Sequence, residues 1–272
     1  MSHLSFAKGH GTENDFIVIR DRHNLTPLTP DLVRAICDRH AGIGGDGIVR
    51  AVKAGCMPEW GGDPSLWFMD YWNPDGSLAE MCGNGLRVFV RYLIEEDLVP
   101  RNEVSIATRA GLRTAWEKPG GALRTDMGQV SVGQPTWVEA GGARFDAVSA
   151  NVGNPHAVVM LPKSADLGGI GLWGGVVYDQ ALFPEGVNTE FVQQVGECHL
   201  RMRVFERGAG ETRSCGTGVV AAAAVARQLL GAEGPWKVDV PGGRLSVDFD
   251  GGQAFLTGPA VIIARGELVM PD

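Results

Sequence analysis

Two cysteines in this chain stand where a thiolate could be made. Met81-Cys82-Gly83-Asn84-Gly85 and Ser214-Cys215-Gly216-Thr217-Gly218 share the pattern Cys-Gly-x-Gly, and each runs straight into a helical pattern. A helix N-terminus offers unpaired N–H groups and the positive end of the peptide dipoles, so a thiol there loses its proton more readily. The pair lies 133 positions apart in a chain of 272 residues, about half its length. One activated thiol per half suggests an active site with a reactive thiol on each side of one substrate. A lone cysteine is more often a small buried apolar residue, and Cys37, Cys56 and Cys198 are read that way.

The elements that must hold these cysteines repeat. Asn73 precedes Cys82 by nine positions, and Glu206 precedes Cys215 by nine. Asn14, in Gly11-Thr12-Glu13-Asn14, matches Asn154, in Asn151-Val152-Gly153-Asn154, at an offset of 140, and each opens a strand-like run. Short β-like runs dominate: 16–20, 66–72, 104–108, 112–116, 156–160, 200–205, 236–240 and 244–249, separated by Gly, Pro, Asn and Asp. Three helical patterns interrupt them. The first follows Thr29 as N-cap, with Pro30 at its first position. The second carries Leu86, Phe89, Val90, Leu93 and Ile94 at helical spacing. The third, Val219 to Leu230, is apolar nearly all round and so expected to be buried, with Gly231 closing it. The fold expected is α+β, with two pseudo-symmetric lobes. Each is a curled, mostly antiparallel, barrel-like sheet around a central helix, and the active site is expected in the cleft between them. The lobes are placed at 1–128, carrying Cys82, and 129–261, carrying Cys215, with a strand at about 262–272 returning to the first.

Composition narrows the function. The chain carries a net charge of −8 and 21% charged residues, which argues against a nucleic-acid or anionic-membrane partner. No run approaches the roughly 20 apolar residues of a membrane span, and the first residues lack a signal peptide's apolar run. A cytoplasmic location is expected. Five widely spaced cysteines do not suit a secreted disulfide framework. No Cys-x-x-Cys or His-Glu-x-x-His pattern occurs, so no metal site is assigned. The segment 42–47, Gly-x-Gly-Gly-x-Gly, lacks the strand-before, helix-after setting of a nucleotide loop. The segment 55–62 reads as a hairpin loop.

Four stretches together carry a specific resemblance: Phe6-Ala7-Lys8-Gly9-His10-Gly11-Thr12-Glu13-Asn14-Asp15-Phe16; Asn73-Pro74-Asp75-Gly76-Ser77 through to Met81-Cys82-Gly83-Asn84-Gly85-Leu86-Arg87; Gly153-Asn154-Pro155-His156; and Glu206-Arg207-Gly208-Ala209-Gly210-Glu211-Thr212-Arg213-Ser214-Cys215-Gly216-Thr217-Gly218. In this order the chain resembles the diaminopimelate epimerases. The double-cysteine motif is shared with proline racemase-like enzymes, whereas the approach to the second cysteine is more particular to the epimerases. The resemblance implies inversion of one stereocentre, from LL- to meso-diaminopimelate, without a cofactor, in lysine and peptidoglycan precursor synthesis. It implies Cys82 and Cys215 as the acid–base pair, and His156 and Glu206 as groups that tune the thiols. Asn14, Asn73, Asn154 and Asn188 are implied as substrate-binding residues, together with Glu206, and Arg207 as the arginine on the distal carboxylate. Backbone N–H groups of Gly83, Asn84, Gly216 and Thr217 would receive the reacting carboxylate. One position departs. Where the family often has Gly-Phe-Asp-Gln, this chain reads Gly44-Gly45-Asp46-Gly47. The substrate-contacting glutamine is Gly47 here, and backbone, water or a neighbour such as Glu13 would have to replace it.

Three rivals stand beside this reading: a racemase of the same fold for another amino acid, a thiol redox switch built on the two cysteines, and a non-catalytic binding module. A redox protein has no use for Arg207 and the four asparagines. A pyridoxal phosphate enzyme would need a Schiff-base lysine, and none of the five lysines has that setting. The expected partner is a small molecule, and a homodimer is left open.

Overall fold

The computed structural model describes residues 3–269. In chain order the elements are β1 (His3–Gly11), β2 (Asn14–Arg20), α1 (Pro30–Cys37), β3 (Ile48–Lys53), β4 (Trp67–Trp72), α2 (Gly83–Glu95), β5 (Glu103–Thr108), β6 (Gly111–Glu117), β7 (Leu123–Gln129), β8 (Ser131–Ala140), β9 (Ala143–Asn151), β10 (Pro155–Leu161), β11 (Val176–Tyr178), β12 (Asn188–Gly196), β13 (His199–Glu206), β14 (Gly210–Thr212), α3 (Gly216–Leu230), β15 (Trp236–Val240), β16 (Gly243–Asp250), β17 (Gln253–Gly258) and β18 (Val261–Val269). The chain divides into two compact units. One comprises residues up to Thr125 with those from Pro259 onward, the other Asp126–Gly258. Of the returning strand expected at 262–272, residues 262–269 lie in β18, which pairs antiparallel with β1; 270–272 lie outside the described residues.

Within the first unit the strands run β18-β1-β2-β3-β4-β5-β6-β7. Two neighbours are parallel, β2 with β3 and β4 with β5; the others are antiparallel. Parallel strands need a crossover, and the helices supply it: α1 lies between β2 and β3, α2 between β4 and β5. In the second unit the order is β8-β9-β10-β12-β13-β15-β16-β17, with β10–β12 and β13–β15 parallel and α3 in the second crossover. The sheets are thus mixed. Among the described residues no pairing closes either into a barrel.

Pairing registers show how deep the repeat runs. Ile17 faces Ile48, which faces Trp72; Ala157 faces Thr189, which faces Phe205. Trp67 faces Ile106 and Leu200 faces Val238. The two units therefore superpose residue for residue through their central strands. The offset is 140 on β2 and β10, 141 on β3 and β12, and 133 on β4 and β13.

The helix starts follow local rules. Thr29 caps α1 by accepting the Leu32 N–H at 3.3 Å, and Pro30 sits at the first helical position. Gly231 closes α3 in the left-handed conformation (φ 63°), where a side chain is disfavoured. Both later helices begin three residues before the expected apolar pattern, because the glycines after each cysteine are already helical. α3 is buried from Gly216 to Ala226, as its composition requires. α2 is buried from Gly83 to Ile94, arginines included, although its sequence has a polar face. The first unit's core gathers around it: Phe16, Val18, Val49, Met69, Leu86, Phe89, Leu93 and Ile106.

Phe89→Ala should therefore cost about 3–5 kcal/mol, whereas Leu229→Ala, at an exposed position, should stay within about 0.5 kcal/mol of the parent. Urea unfolding with an unchanged slope checks both. A Phe89 variant with an unshifted midpoint would contradict the placement of this core.

Candidate active site

Cys82 is the N-cap of α2. Its backbone is extended (φ −136°, ψ 121°), and its Sγ accepts the N–H of Gly85 at 3.4 Å. The two-residue turn between β1 and β2 places Asn14 beside it. Thr12 and Glu13, the turn's centre, have φ of 51° and 61°. Asn-Gly is the usual solution for such a turn, and residues with a Cβ cost about 1–2 kcal/mol each at these angles. Asn14 donates through Nδ2 to Asp46 Oδ2 at 2.7 Å. Its Oδ1 accepts from Asn84 Nδ2 at 3.1 Å and lies 4.0 Å from Cys82 Sγ. Asn84 Oδ1 in turn accepts from Arg87 Nη2 at 2.7 Å. Asp46, Asn14, Asn84 and Arg87 form one chain, and its charged ends fix both amides. Turning either amide over would set acceptor against acceptor or donor against donor.

Each end of that chain has its own setting. Arg39 bridges Asp15 Oδ1 at 2.7 Å and Asp46 Oδ1 at 2.6 Å. Lys8 reaches Asp15 Oδ2 at 2.5 Å and also bonds Gly44 O. Burial raises the Asp15 pKa, but Arg39 and Lys8 outweigh it and hold the carboxyl at about 2. Asp46 moves the other way, through burial and then the charge of Asp15. Arg87, at the far end, is fully buried. Its other partners are Gly83 O at 3.3 Å and Pro259 O at 3.4 Å. Burial lowers its pKa to about 10, and Cys82 acts in the opposite sense.

Cys215, buried, is the N-cap of α3 (φ −123°, ψ 117°), with no cap hydrogen bond to its side chain. Its Sγ lies 3.5 Å from Thr217 Oγ1, which accepts from Asn154 Nδ2 at 3.3 Å. Asn154 Oδ1 is 2.9 Å from His156 Nε2, and His156 Nδ1 is 2.7 Å from Glu190 Oε1. The ring thus bridges the Asn154 amide and the Glu190 carboxyl. The His156 and Glu190 side chains are wholly buried. Gly218 makes this possible: a Cβ there would come 2.5 Å from Glu190 Oε1.

Glu206 ends β13 and accepts from the Thr212 hydroxyl. The Arg207 N–H donates to Asn188 Oδ1 at 2.9 Å, and its guanidinium to Glu185 O at 3.0 Å. The arginine stem lies over Gly186, where a Cβ would meet its Cδ at 2.7 Å. Arg207 is exposed, and no ion pair engages it among the described residues. Burial, then the charges of Glu206 and Glu190, drive the Cys215 thiol well above the ordinary range; Thr217 and the Gly218 N–H offset part of this.

The structure therefore gathers Asn14, Gly83 and Asn84 around Cys82, and Asn154, His156, Gly216 and Thr217 around Cys215. Glu206 acts on Cys215 through its charge, and Arg207 and Asn188 join it at the end of β13. Asn73 is spent locally: its Nδ2 donates to Ser77 Oγ at 3.0 Å within its own turn. Sequence reasoning missed Asp46, Arg87 and Glu190. Glu190 had a signal, lying two residues after Asn188 in a strand whose alternation puts both on one face. Arg87 had none, because burial of a helix's polar face depends on what packs there.

The family model for diaminopimelate epimerase matches residues 6–133 and 148–263. The diaminopimelate epimerase of Corynebacterium glutamicum strain R is 47% identical over 273 residues, covering 97% of this chain and 98% of that one. That of Streptomyces coelicolor is 44% identical, covering 97% and 95%. The chain belongs to the diaminopimelate epimerase family. Solved structures agree on the fold. A Bacillus anthracis phenazine biosynthesis protein of the PhzF family superposes with a TM-score of 0.71 at 15% identity, covering 99% of this chain and 100% of that one. A probable proline racemase from Agrobacterium radiobacter gives 0.72 at 16%, covering 98% and 93%.

Against that family the glycine at position 47 has a physical reason. A Cβ there would lie 2.6 Å from Trp72 O and 2.8 Å from the Tyr71 ring. The space in which a longer side chain would begin is filled. Glu13 is exposed in the β1–β2 turn.

Two predictions follow from these contacts. Gly47→Gln should lower stability by about 1–3 kcal/mol through overpacking, measured by denaturant titration; a neutral or stabilising result would show that Tyr71 yields freely. The second concerns Asp15. A carboxyl with a lowered folded pKa stabilises fully above its unfolded value, and the stabilisation fades as pH falls through the folded value. Asp15→Asn should thus destabilise at neutral pH, with the gap to the parent narrowing between pH 3.8 and about 2. A gap constant over that window would contradict the ion pairs.

Proposed function

We propose that the chain converts LL-2,6-diaminopimelate to meso-diaminopimelate by a cofactor-independent, two-base reaction of Cys82 and Cys215. The observation that carries this is a cysteine as N-cap of a buried helix in each of two register-matched units, in a chain 47% identical to a diaminopimelate epimerase over nearly its full length.

The chemistry explains the need for two. An amino-acid Cα–H is very weakly acidic, and inversion requires its proton to leave one face and another to arrive at the opposite face. One thiolate takes the proton; the electron pair left on Cα delocalises into the adjacent carboxylate; the other thiol delivers its proton and becomes the thiolate. Backbone N–H groups at the two helix starts, at Gly83, Asn84, Gly216 and Thr217, would stabilise the charge growing on that carboxylate. Asn14, Asn154 and Asn188 would bind the substrate, and Asn73 would join them on leaving Ser77, with Glu206 and His156 setting the second thiol. Arg207, whose guanidinium has no carboxylate among the described residues, suits the distal carboxylate. Such a reaction fits a cytoplasmic enzyme of lysine and peptidoglycan precursor synthesis. No helix among the described residues is long and apolar enough to cross a membrane.

Incubation with LL-diaminopimelate in deuterated water, without added cofactor, should give the meso isomer carrying deuterium at the inverted carbon. Cys82→Ala and Cys215→Ala should each abolish this, and Cys37→Ala should not. Arg207→Met should lower kcat/KM about tenfold to a hundredfold, as loss of roughly 1.5–3 kcal/mol of charge-assisted bonding requires. Lysine at that position should rescue poorly. Turnover of lysine as fast as diaminopimelate would shift the assignment to another racemase of this fold.

A further inference from the structure

We infer that Arg87 is the counter-ion of a thiolate at Cys82, and that in the resting protein Cys82 is the thiolate while Cys215 keeps its proton. The inference rests on the two-thiol reading above and adds which sulfur is charged and what keeps it so.

Arg87 is the starting point. It is fully buried, and among the described residues its guanidinium meets neutral acceptors: Gly83 O, Pro259 O and Asn84 Oδ1. A guanidinium keeps its charge near neutral pH, and a buried charge without an opposite one is strongly disfavoured. Arg91, one turn further along the same helix, shows the ordinary solution. It too is buried, and its Nη1 meets Glu117 Oε1 at 2.8 Å. No carboxylate forms such a pair with Arg87 among the described residues. Arg87 Nη1 donates to the carbonyl of Gly83, the residue next to Cys82, the N-cap of the same helix, and Cys82 is the ionisable group whose charge acts on it. An anionic sulfur there would balance the arginine as Glu117 balances Arg91.

The surroundings of Cys82 favour the same state. Its sulfur accepts the Gly85 N–H at the start of α2, where the peptide dipoles add to the positive charge. The nearby carboxylates do not oppose it freely. Asp46, in the loop before β3, is bonded to Arg39 and Asn14, and Asp15 on β2 is held by Arg39 and by Lys8 of β1. Asn14 Oδ1 could accept from a thiol, but at 4.0 Å, and it is already engaged by Asn84 at 3.1 Å.

Cys215 shares the helix start, but the charged side chains around it differ. Its side chain closes no cap hydrogen bond. The positions that correspond to Asn73 and Val49 in the other unit hold Glu206 on β13 and Glu190 on β12. His156 on β10 is matched to Glu190 and leaves no net positive charge. The position of Arg87 is taken by Val220 on α3. Burial and the charges of Glu206 and Glu190 keep the proton on this sulfur, and no buried arginine stands at the matched place on α3.

Thiolate ultraviolet absorbance, followed against pH on the intact protein without substrate, tests the assignment. The parent should show a thiolate step below the ordinary thiol value of about 8.5. Cys82→Ala should remove that step and Cys215→Ala should keep it. Arg87→Met should raise its midpoint by at least about one pKa unit, and Arg87→Lys, which keeps the charge, should leave it near the parent's. A step that disappears in Cys215→Ala instead would overturn the inference, as would an unmoved midpoint in folded Arg87→Met. Should Arg87→Met fail to fold, the two cysteine variants decide alone, since both retain the native arginine. No substrate enters the measurement, so its failure leaves the epimerase reading standing, and a failed epimerase assay leaves the thiolate assignment standing.

Discussion

A sulfur anion persists inside a protein only where positive charge faces it, and burial makes that demand stricter. In each unit the positive charge begins with the amino end of a helix whose first eleven or more residues are buried. Burial of the helix fixes the direction of its dipole, and the cysteine at its N-cap lies on that axis. The crossover between parallel strands sets where the helix starts, so the sheet order is a condition for the chemistry. The glycines that follow each cysteine keep the helix start bare enough for its N–H groups to face a ligand.

Polar side chains around these two caps are arranged as chains whose ends are charged. Asp46 and Arg87 hold Asn14 and Asn84 from opposite sides. Glu190 holds His156, which holds Asn154 and through it Thr217. Asparagine and threonine alone could point either way; a carboxylate or guanidinium at the end of the line removes the choice. Glycine takes part by absence. Gly218 leaves the room that Glu190 occupies, and Gly186 the room that Arg207 crosses.

Much of this was legible in the sequence, because the features involved are local. The strand 236–240 has the bounds its apolar alternation predicts, and the caps Thr29 and Gly231 are where their residue types put them. The motifs around Cys82 and Cys215 located both helix starts. The parallel pairs β2–β3 and β4–β5 were not legible, since strand direction depends on how a crossover returns and leaves no residue signature. Arg87 was missed for a related reason. On α2 it flanks the stripe of Leu86, Phe89 and Leu93, one turn before Val90, where an arginine reads as a boundary residue, and only the packing on that side of α2 buries it. Gly47 reads as a lost side chain in sequence, whereas the structure shows a position with no room for one.

The repeat itself poses the last question, because a symmetric scaffold offers two equal thiols and the reaction needs unequal ones. Two thiolates could abstract but not deliver, and two thiols could do neither. The backbone does not break the symmetry: the registers match through the central strands. Side chains at matched positions break it. Arg87 corresponds to Val220, Asn73 to Glu206, Val49 to Glu190 and Phe16 to His156. Every one of these exchanges alters charge or hydrogen bonding, and the first unit has the buried arginine beside its helix start while the second has the two glutamates. The fold thus supplies position twice, and under the proposed two-thiol reaction a handful of substitutions on it would supply the difference in proton affinity that the two sulfurs need.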